Sequence, residues 1–155
     1  MKGTLAALLR EHHTAGCVDW IGLRPARRVE MVPVSSVELG LDGFEGDHGR
    51  AGKRAVTLIQ AEHLPVIAAL CGGDVTPEAL RRNILVSGIN LNALRGEVVA
   101  IGEARIEIGP PCAPCSRMRE ALGPGGYNAM RGHGGWCAQV IAPGLVEVGT
   151  VVAPV

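Results

Sequence analysis

The apolar residues of this chain come in short runs, and glycine or proline soon interrupts each of them. CVDWIGLRP at 17–25, VTLIQ at 56–60, NILVSGINL at 83–91, EVVAIGEARIEIG at 97–109, WCAQVIAPG at 136–144 and LVEVGTVVAPV at 145–155 are all of strand length. RRVEMVPVSSVEL at 27–39 adds a stretch that opens with alternating polarity. Hydrophobic residues make up 47% of the chain but aromatics only 3%, so the core must be built from Val, Ile, Leu and Ala. About seven short strands with interspersed helices predict a β-rich α+β fold, centred on a partly closed barrel. Ile101-Gly102-Glu103 reads as a hairpin turn between two of the strands.

Helical patterning is limited to short pieces. Leu5, Leu8 and Leu9 fall at i, i+3, i+4 and predict a short amphipathic helix over about 4–13. A second helix is expected over 60–70, closed by Gly72-Gly73, and a third where Thr76 caps Pro77-Glu78. SRMREAL predicts a helix near 115–122, followed by a glycine-rich loop, GPGGYNAMRGHGG. Another loop, GLDGFEGDHGRAGKR at 40–54, holds five glycines, and loops of that length are usually functional or disordered. Without repeats or a shift in composition, residues 1–155 read as one domain.

Lys plus Arg and Asp plus Glu are each 15, so the formal net charge is zero. That balance argues against nucleic acid and anionic membranes as partners, and leaves room for a small anion held by local arginines. The N-terminal apolar patch stops at Arg10, short of a signal peptide, and no run approaches the roughly 18 residues of a membrane span. The cytoplasm is therefore the expected compartment, where thiols stay reduced. An odd count of cysteines, five, also fits a disulfide framework poorly.

The stretch richest in chemistry is GPPCAPCSRM at 109–118. Read from its residues alone, it admits a zinc site, a redox dithiol, one reactive thiolate, or mere packing. Cys112, Cys115, His133 and Cys137 approach structural zinc spacing, yet a domain of this size needs no metal staple, so zinc is not expected. CAPC has the proline of a thioredoxin-type motif but lacks the βαβ opening that goes with one. Cys115 stands where a helix is predicted to begin, with Arg117 and Arg119 close by, and all three features favour a thiolate. Cys112 is then a supporting residue, and Cys17, Cys71 and Cys137 read as small buried hydrophobes.

The chain resembles the MOSC domains, named after the C-terminal part of molybdenum cofactor sulfurases. EGDHG at 45–49, RAVTLIQAEHL at 54–64, RRNILVSGINLNALRGE at 81–97 and the segment 109–141 carry the resemblance over nearly the whole chain. It implies a single MOSC-type β-barrel with peripheral short helices. It also implies one recurrent cysteine, matched here by Cys115 in Pro114-Cys115-Ser116-Arg117, which carries sulfur or ligates molybdenum. The cofactor implied is the molybdenum cofactor, molybdopterin. The pyridoxal-phosphate desulfurase domain of the eukaryotic sulfurases is not expected in this chain. A sulfur donor such as a cysteine desulfurase, or an electron-transfer partner, is therefore implied as well.

Around that cysteine, Asp47 and His48 lie between glycines, where backbone can approach a ligand closely. Arg50, Lys53 and Arg54 crowd the same loop and suit the phosphate of a pterin. Asn83, after Arg81 and Arg82, resembles a recurrent family asparagine; His133 is placed to reach the cysteine loop. The cofactor-binding set is thus Asp47, His48, Arg50, Arg54, Asn83, Arg117 and His133. Cys115 is the functional thiol and the candidate molybdenum ligand. The expected function is sulfur carriage or molybdenum-cofactor binding. The alternatives are a molybdenum-dependent reductase of N-hydroxylated compounds and a non-catalytic zinc-stabilised module.

Overall fold

The structure is a computed structural model that describes residues 4–114 and 117–155. Its elements in chain order are α1 (Leu5–Arg10), β1 (Gly16–Leu23), β2 (Val32–Val34), β3 (Ser36–Gly40), β4 (Gly43–Phe44), β5 (Val56–Gln60), α2 (His63–Cys71), α3 (Pro77–Leu80) and β6 (Ile84–Ser87). After a 3-10 turn at Leu91–Leu94 come β7 (Val98–Ile101), β8 (Ala104–Pro111), α4 (Arg117–Leu122), α5 (Gly126–Met130), β9 (Trp136–Ala142), β10 (Gly144–Glu147) and β11 (Val151–Pro154).

Seven strands close on themselves in the order β11-β7-β8-β9-β5-β6-β1, and β1 pairs back to β11 through Gly16↔Val152 and Cys17↔Val151. The barrel is closed rather than partly closed. Strand β2 extends from β1, and a separate small sheet of β10, β3 and β4 adds Leu39, Phe44 and Val146 to the barrel's core cluster. Only β5 and β6 run parallel among the described pairs, so the chain must cross over between them. Helices α2 and α3 make that crossover. All five residues of β5 are buried, as a strand covered on both faces requires.

The barrel interior is aliphatic, with Val18, Ile21, Leu58, Ile84, Ile101, Ile106 and Ile108 all fully buried. A second, smaller cluster of Ile59, Ile67, Leu80, Met118, Ala129 and Met130 joins α2–α5 to the outside of β5. The hairpin forms as read, with Gly102 at φ +61° in its turn. Thr76 accepts from the Ala79 N–H and Pro77 sits in the first turn, as the capping pattern predicts.

Three expectations change. The N-terminal helix ends at Arg10, because Glu11 is already extended, and its leucines stay largely exposed: Leu5 is 72% exposed and Leu9 65%. The second helix begins at His63, since β5 runs to Gln60. The glycine-rich stretch 123–135 contains a helix, α5, where a loop was expected. Helix α4 is described from Arg117, so the expected start at 115 lies outside the described residues. No helix among the described residues is long and apolar enough to cross a membrane.

Candidate functional site

The site is built where β1 ends. Leu23 closes the strand, and Arg24 enters a loop that carries Arg27 and Arg28 before β2. Arg24 is locked to the glycine loop after β4. Its backbone N–H donates to Asp47 Oδ1 at 2.6 Å, and its guanidinium reaches Oδ1 at 3.2 Å and Oδ2 at 3.0 Å. In return the His48 N–H donates to the Arg24 carbonyl at 2.8 Å. The Gly49 N–H fills the remaining position on Asp47 Oδ2 at 2.8 Å. The glycines there are steric necessities: a Cβ on Gly43 or Gly49 would stand 2.5 or 2.6 Å from the Ala55 carbonyl oxygen. Burial alone would raise the Asp47 pKa, but the hydrogen bonds and charge of Arg24, with the Gly49 N–H, reverse this and hold it below the usual carboxylate value.

Asn83 stands behind this clamp, fully buried. Its amide donates to Asp47 Oδ1 at 3.1 Å and to the Gly22 carbonyl at 3.0 Å, while its carbonyl accepts from Thr57 N–H and Oγ1. Every side-chain valence is filled within the protein. The residue ties β1, β5 and β6 to the Asp47 loop, and presents no free donor to a ligand.

In front of the clamp lies a cleft of about 570 Å³. Arg24, Arg27, Arg28, Arg81, Arg82 and Arg117 line it together with His48, and Glu120 is the only acid among the described residues that line it. Six of the chain's 15 basic residues therefore converge on one cavity of an electrically neutral protein. Leu80, Met118, Ala79 and Ala121 supply an apolar side.

The cations are not equivalent. Arg81, in a left-handed conformation at the end of α3, donates to the carbonyls of Ala26 and Val29 and so staples the Arg27-Arg28 loop in place. Burial, with Arg24 and Arg117 close by, lowers its pKa from the usual guanidinium value. Arg82 donates to Gly134 O at 2.7 Å and Leu80 O at 2.9 Å. Among the described residues, Arg27, Arg28 and Arg117 make no side-chain hydrogen bond. Three guanidiniums hold the cavity's shape; the other three have uncommitted donors among the described residues.

The sequence-predicted residues thus divide. His48 and Arg117 meet in the cleft, and Asp47 and Asn83 brace it from behind. Arg50 and Arg54 are exposed and do not line it; Lys53 lines a separate cavity with Arg95 and Glu107. His133 points its Nδ1 at Ala129 O (3.3 Å) and stands edge-on to His63, ring centroids 5.6 Å apart. Burial first, and then His133, lowers the His63 pKa. Cys115 lies outside the described residues, two positions along the chain from Arg117.

Cys112 and Cys137 are both buried, and their sulfurs stand 3.4 Å apart. No group of three or more His, Cys, Asp or Glu converges as a metal site among the described residues. Sequence reading missed Arg24, Arg27 and Arg28. The available signal was the RPARR cluster directly after an apolar strand.

The chain is a small closed barrel with an arginine-walled cleft. The chain belongs to the MOSC domain family, whose pattern it matches over residues 44–153. Its fold is similar to that of the YuaD protein from Bacillus subtilis (TM-score 0.79, 17% identity, covering 90% of this chain and 94% of that one). It is also similar to YiiM from Geobacillus stearothermophilus (TM-score 0.75, 20% identity, 90% and 75% covered). YiiM from Escherichia coli is a further neighbour (TM-score 0.72, 24% identity, 92% and 70% covered). No curated protein matches in sequence.

Proposed function

We propose that this chain binds the molybdenum cofactor, holding its phosphate in the arginine cleft, with Cys115 as the thiolate that carries sulfur to the metal or ligates it. The observation that carries the reading is the convergence of Arg27, Arg28 and Arg117, with uncommitted guanidiniums, on a cavity of about 570 Å³ in a MOSC-family chain. The donor set fits the group. Guanidiniums bind phosphate oxygens in bidentate fashion, and the volume lies within the usual range for small-molecule sites. The apolar side made by Leu80 and Met118 suits a planar ring next to the charge. When bound, the cofactor would supply molybdenum and its redox capacity; the protein supplies orientation and charge. Arg27, Arg28 and Arg117 fix the phosphate, and His48 adds a donor at the mouth. Arg24 and Arg81 keep the loops from collapsing into the cavity. Connectivity supports Cys115 as the thiol, because it precedes by two residues the arginine that lines the cleft. A soft thiolate is an apt ligand for such a metal, and persulfidation is a reversible state of low-pKa thiols.

The test is metal and pterin analysis of the chain purified from a host that makes the cofactor. Co-purifying molybdenum and pterin, lost from an Arg27→Glu/Arg28→Glu double variant that still folds, is the expected result. Stoichiometric zinc with no pterin would overturn the reading. The Cys115→Ser variant separates the two thiol roles. If the cysteine carries sulfur, the variant keeps pterin but takes up no sulfane sulfur from a persulfide donor, whose own thiolate is the leaving group in that transfer; if it ligates the metal, the variant loses molybdenum.

A further inference from the structure

The regular register of β8 against β9 breaks between Ile108 and Pro111. Just beyond the break the Cys112 N–H donates to the Gly135 carbonyl at 2.8 Å, which turns the Cys112 side chain toward β9. There its sulfur meets that of Cys137 at 3.4 Å, across 25 residues of sequence. Among the described residues neither sulfur has another hydrogen-bond partner. Cys112 also forms part of the wall of a second cleft, of about 380 Å³, beside His63, Asn92 and Trp136. A small molecule in that cleft reaches Cys112, whose sulfur is the immediate neighbour of the Cys137 sulfur. The hydrogen bond from Cys112 favours the Cys137 thiolate against the cost of burial, and positive charge from Arg54, Arg82 and Arg24 adds to it.

We propose that Cys112 and Cys137 form a reversible dithiol–disulfide couple, oxidised by a small hydroperoxide that enters through the second cleft. The Cys137 thiolate attacks the terminal peroxide oxygen. A sulfur–oxygen bond forms, the oxygen–oxygen bond breaks, and the alkoxide takes up a proton and leaves as alcohol (as water, when the oxidant is hydrogen peroxide). Cys112 then attacks the sulfur of the resulting sulfenic acid. A disulfide forms, the sulfur–oxygen bond breaks, and hydroxide leaves as water with the Cys112 proton. Two thiols lose two electrons and one peroxide gains them. A low-molecular-weight thiol reverses the state by exchange. The sulfur separation of 3.4 Å must shorten to about 2.05 Å, a movement that the irregular end of β8 is placed to allow. The bond ties residue 112 to β9 five positions before Arg117, so oxidation constrains the segment leading to the arginine cleft.

The experiment uses the full chain and hydrogen peroxide as the probe, followed by quenching, denaturation and a maleimide mass count. In Cys115→Ser, which leaves four cysteines and removes the competing thiolate, reactive thiols should fall from four to two per chain and return to four with dithiothreitol. Trypsin leaves Cys112 and Cys115 on one peptide, 106–117, and Cys137 on 132–155. The linkage is therefore mapped in Cys115→Ser, where the two peptides should appear joined. Cys112→Ser and Cys137→Ser should abolish the joined species. The Cys115→Ser map decides the matter alone if either of those variants fails to fold. An unchanged thiol count, no joined peptide in Cys115→Ser, or sulfinic acid at Cys137 with the Cys112 thiol intact would overturn the proposal.

Discussion

The barrel interior and the arginine cleft are held together by different physics. Inside the barrel, Val, Ile and Leu from seven strands interlock, and among the described residues the buried polar side chains of the whole fold are few: Thr57, Gln60 and Asn83. Each of those three is fully used, Asn83 and Thr57 by one another and Gln60 by Ile89 O, Leu91 N–H and Glu62. Around the cleft the apolar support thins to the small helical cluster containing Leu80 and Met118. Loop position there depends on a few polar devices, the Arg24–Asp47 pair and the Arg81 staple. Stability in the barrel is spread over many weak contacts, whereas at the cleft single residues decide geometry. Substitutions should therefore separate the two regions cleanly.

The largest loss is expected in the barrel. Leu58→Ala removes a fully buried side chain from the middle of the main cluster and should cost about 4 kcal/mol. Urea denaturation should show it as a lowered midpoint with little change in slope, and thermal melting as a drop of roughly 8–16 °C. A cost under about 1 kcal/mol would mean that the barrel is not the stability core.

Next comes Asp47→Ala, at about 3 kcal/mol, because Arg24 would be left partly buried without its partner and Asn83 without one acceptor. This loss has a pH signature. The folded-state pKa of Asp47 is lowered, so the carboxylate stabilises the protein fully above its unfolded value of about 3.9. The contribution disappears as pH falls through the folded value. Wild type and variant should therefore differ fully at pH 7 and converge at the acid end of a pH series. A constant gap would remove the ion pair from the account. Met118→Ala should follow at about 2 kcal/mol, near the low end for such a truncation, since its cluster is small and open to the cleft.

These regions also differ in how far the sequence announces them. The barrel was legible because its signals are local: β-branched runs, the Gly102 turn, and Thr76-Pro77 at a helix start. Helix α5 was not, because its glycines read as loop. Gly126 is there for packing, since a Cβ would collide with the Met118 carbonyl and the Leu122 side chain. The cleft was half legible. His48 and Arg117 stood out by their surroundings, but the other arginines lie at 24–28 and 81–82, and only β1 pairing with β6 brings those segments together. Asp47 was visible as a glycine-flanked acid, yet nothing nearby in sequence shows that its partner is Arg24, 23 residues earlier. Cys112 and Cys137 were grouped by their zinc-like spacing, but nothing in that spacing singled out the two as a direct sulfur–sulfur contact.

The smallest effect on stability is also the sharpest test of the cleft. Arg27 is exposed and makes no side-chain hydrogen bond among the described residues, so Arg27→Ala should change unfolding free energy by less than about 0.5 kcal/mol. If the cleft is an anion site, the same change should weaken inorganic pyrophosphate binding about tenfold, as loss of one charge-assisted contact does. Isothermal titration at low and moderate salt measures this directly, and the wild-type affinity should itself fall as salt rises. Arg50→Ala is the matched control: it removes the same charge from the glycine loop that the sequence favoured, but from a residue that does not line the cleft. Equal weakening by the two variants would mean that pyrophosphate senses only net charge, and the cleft would lose its standing as a site. Weakening by Arg27→Ala alone places recognition in the cavity that the barrel end builds.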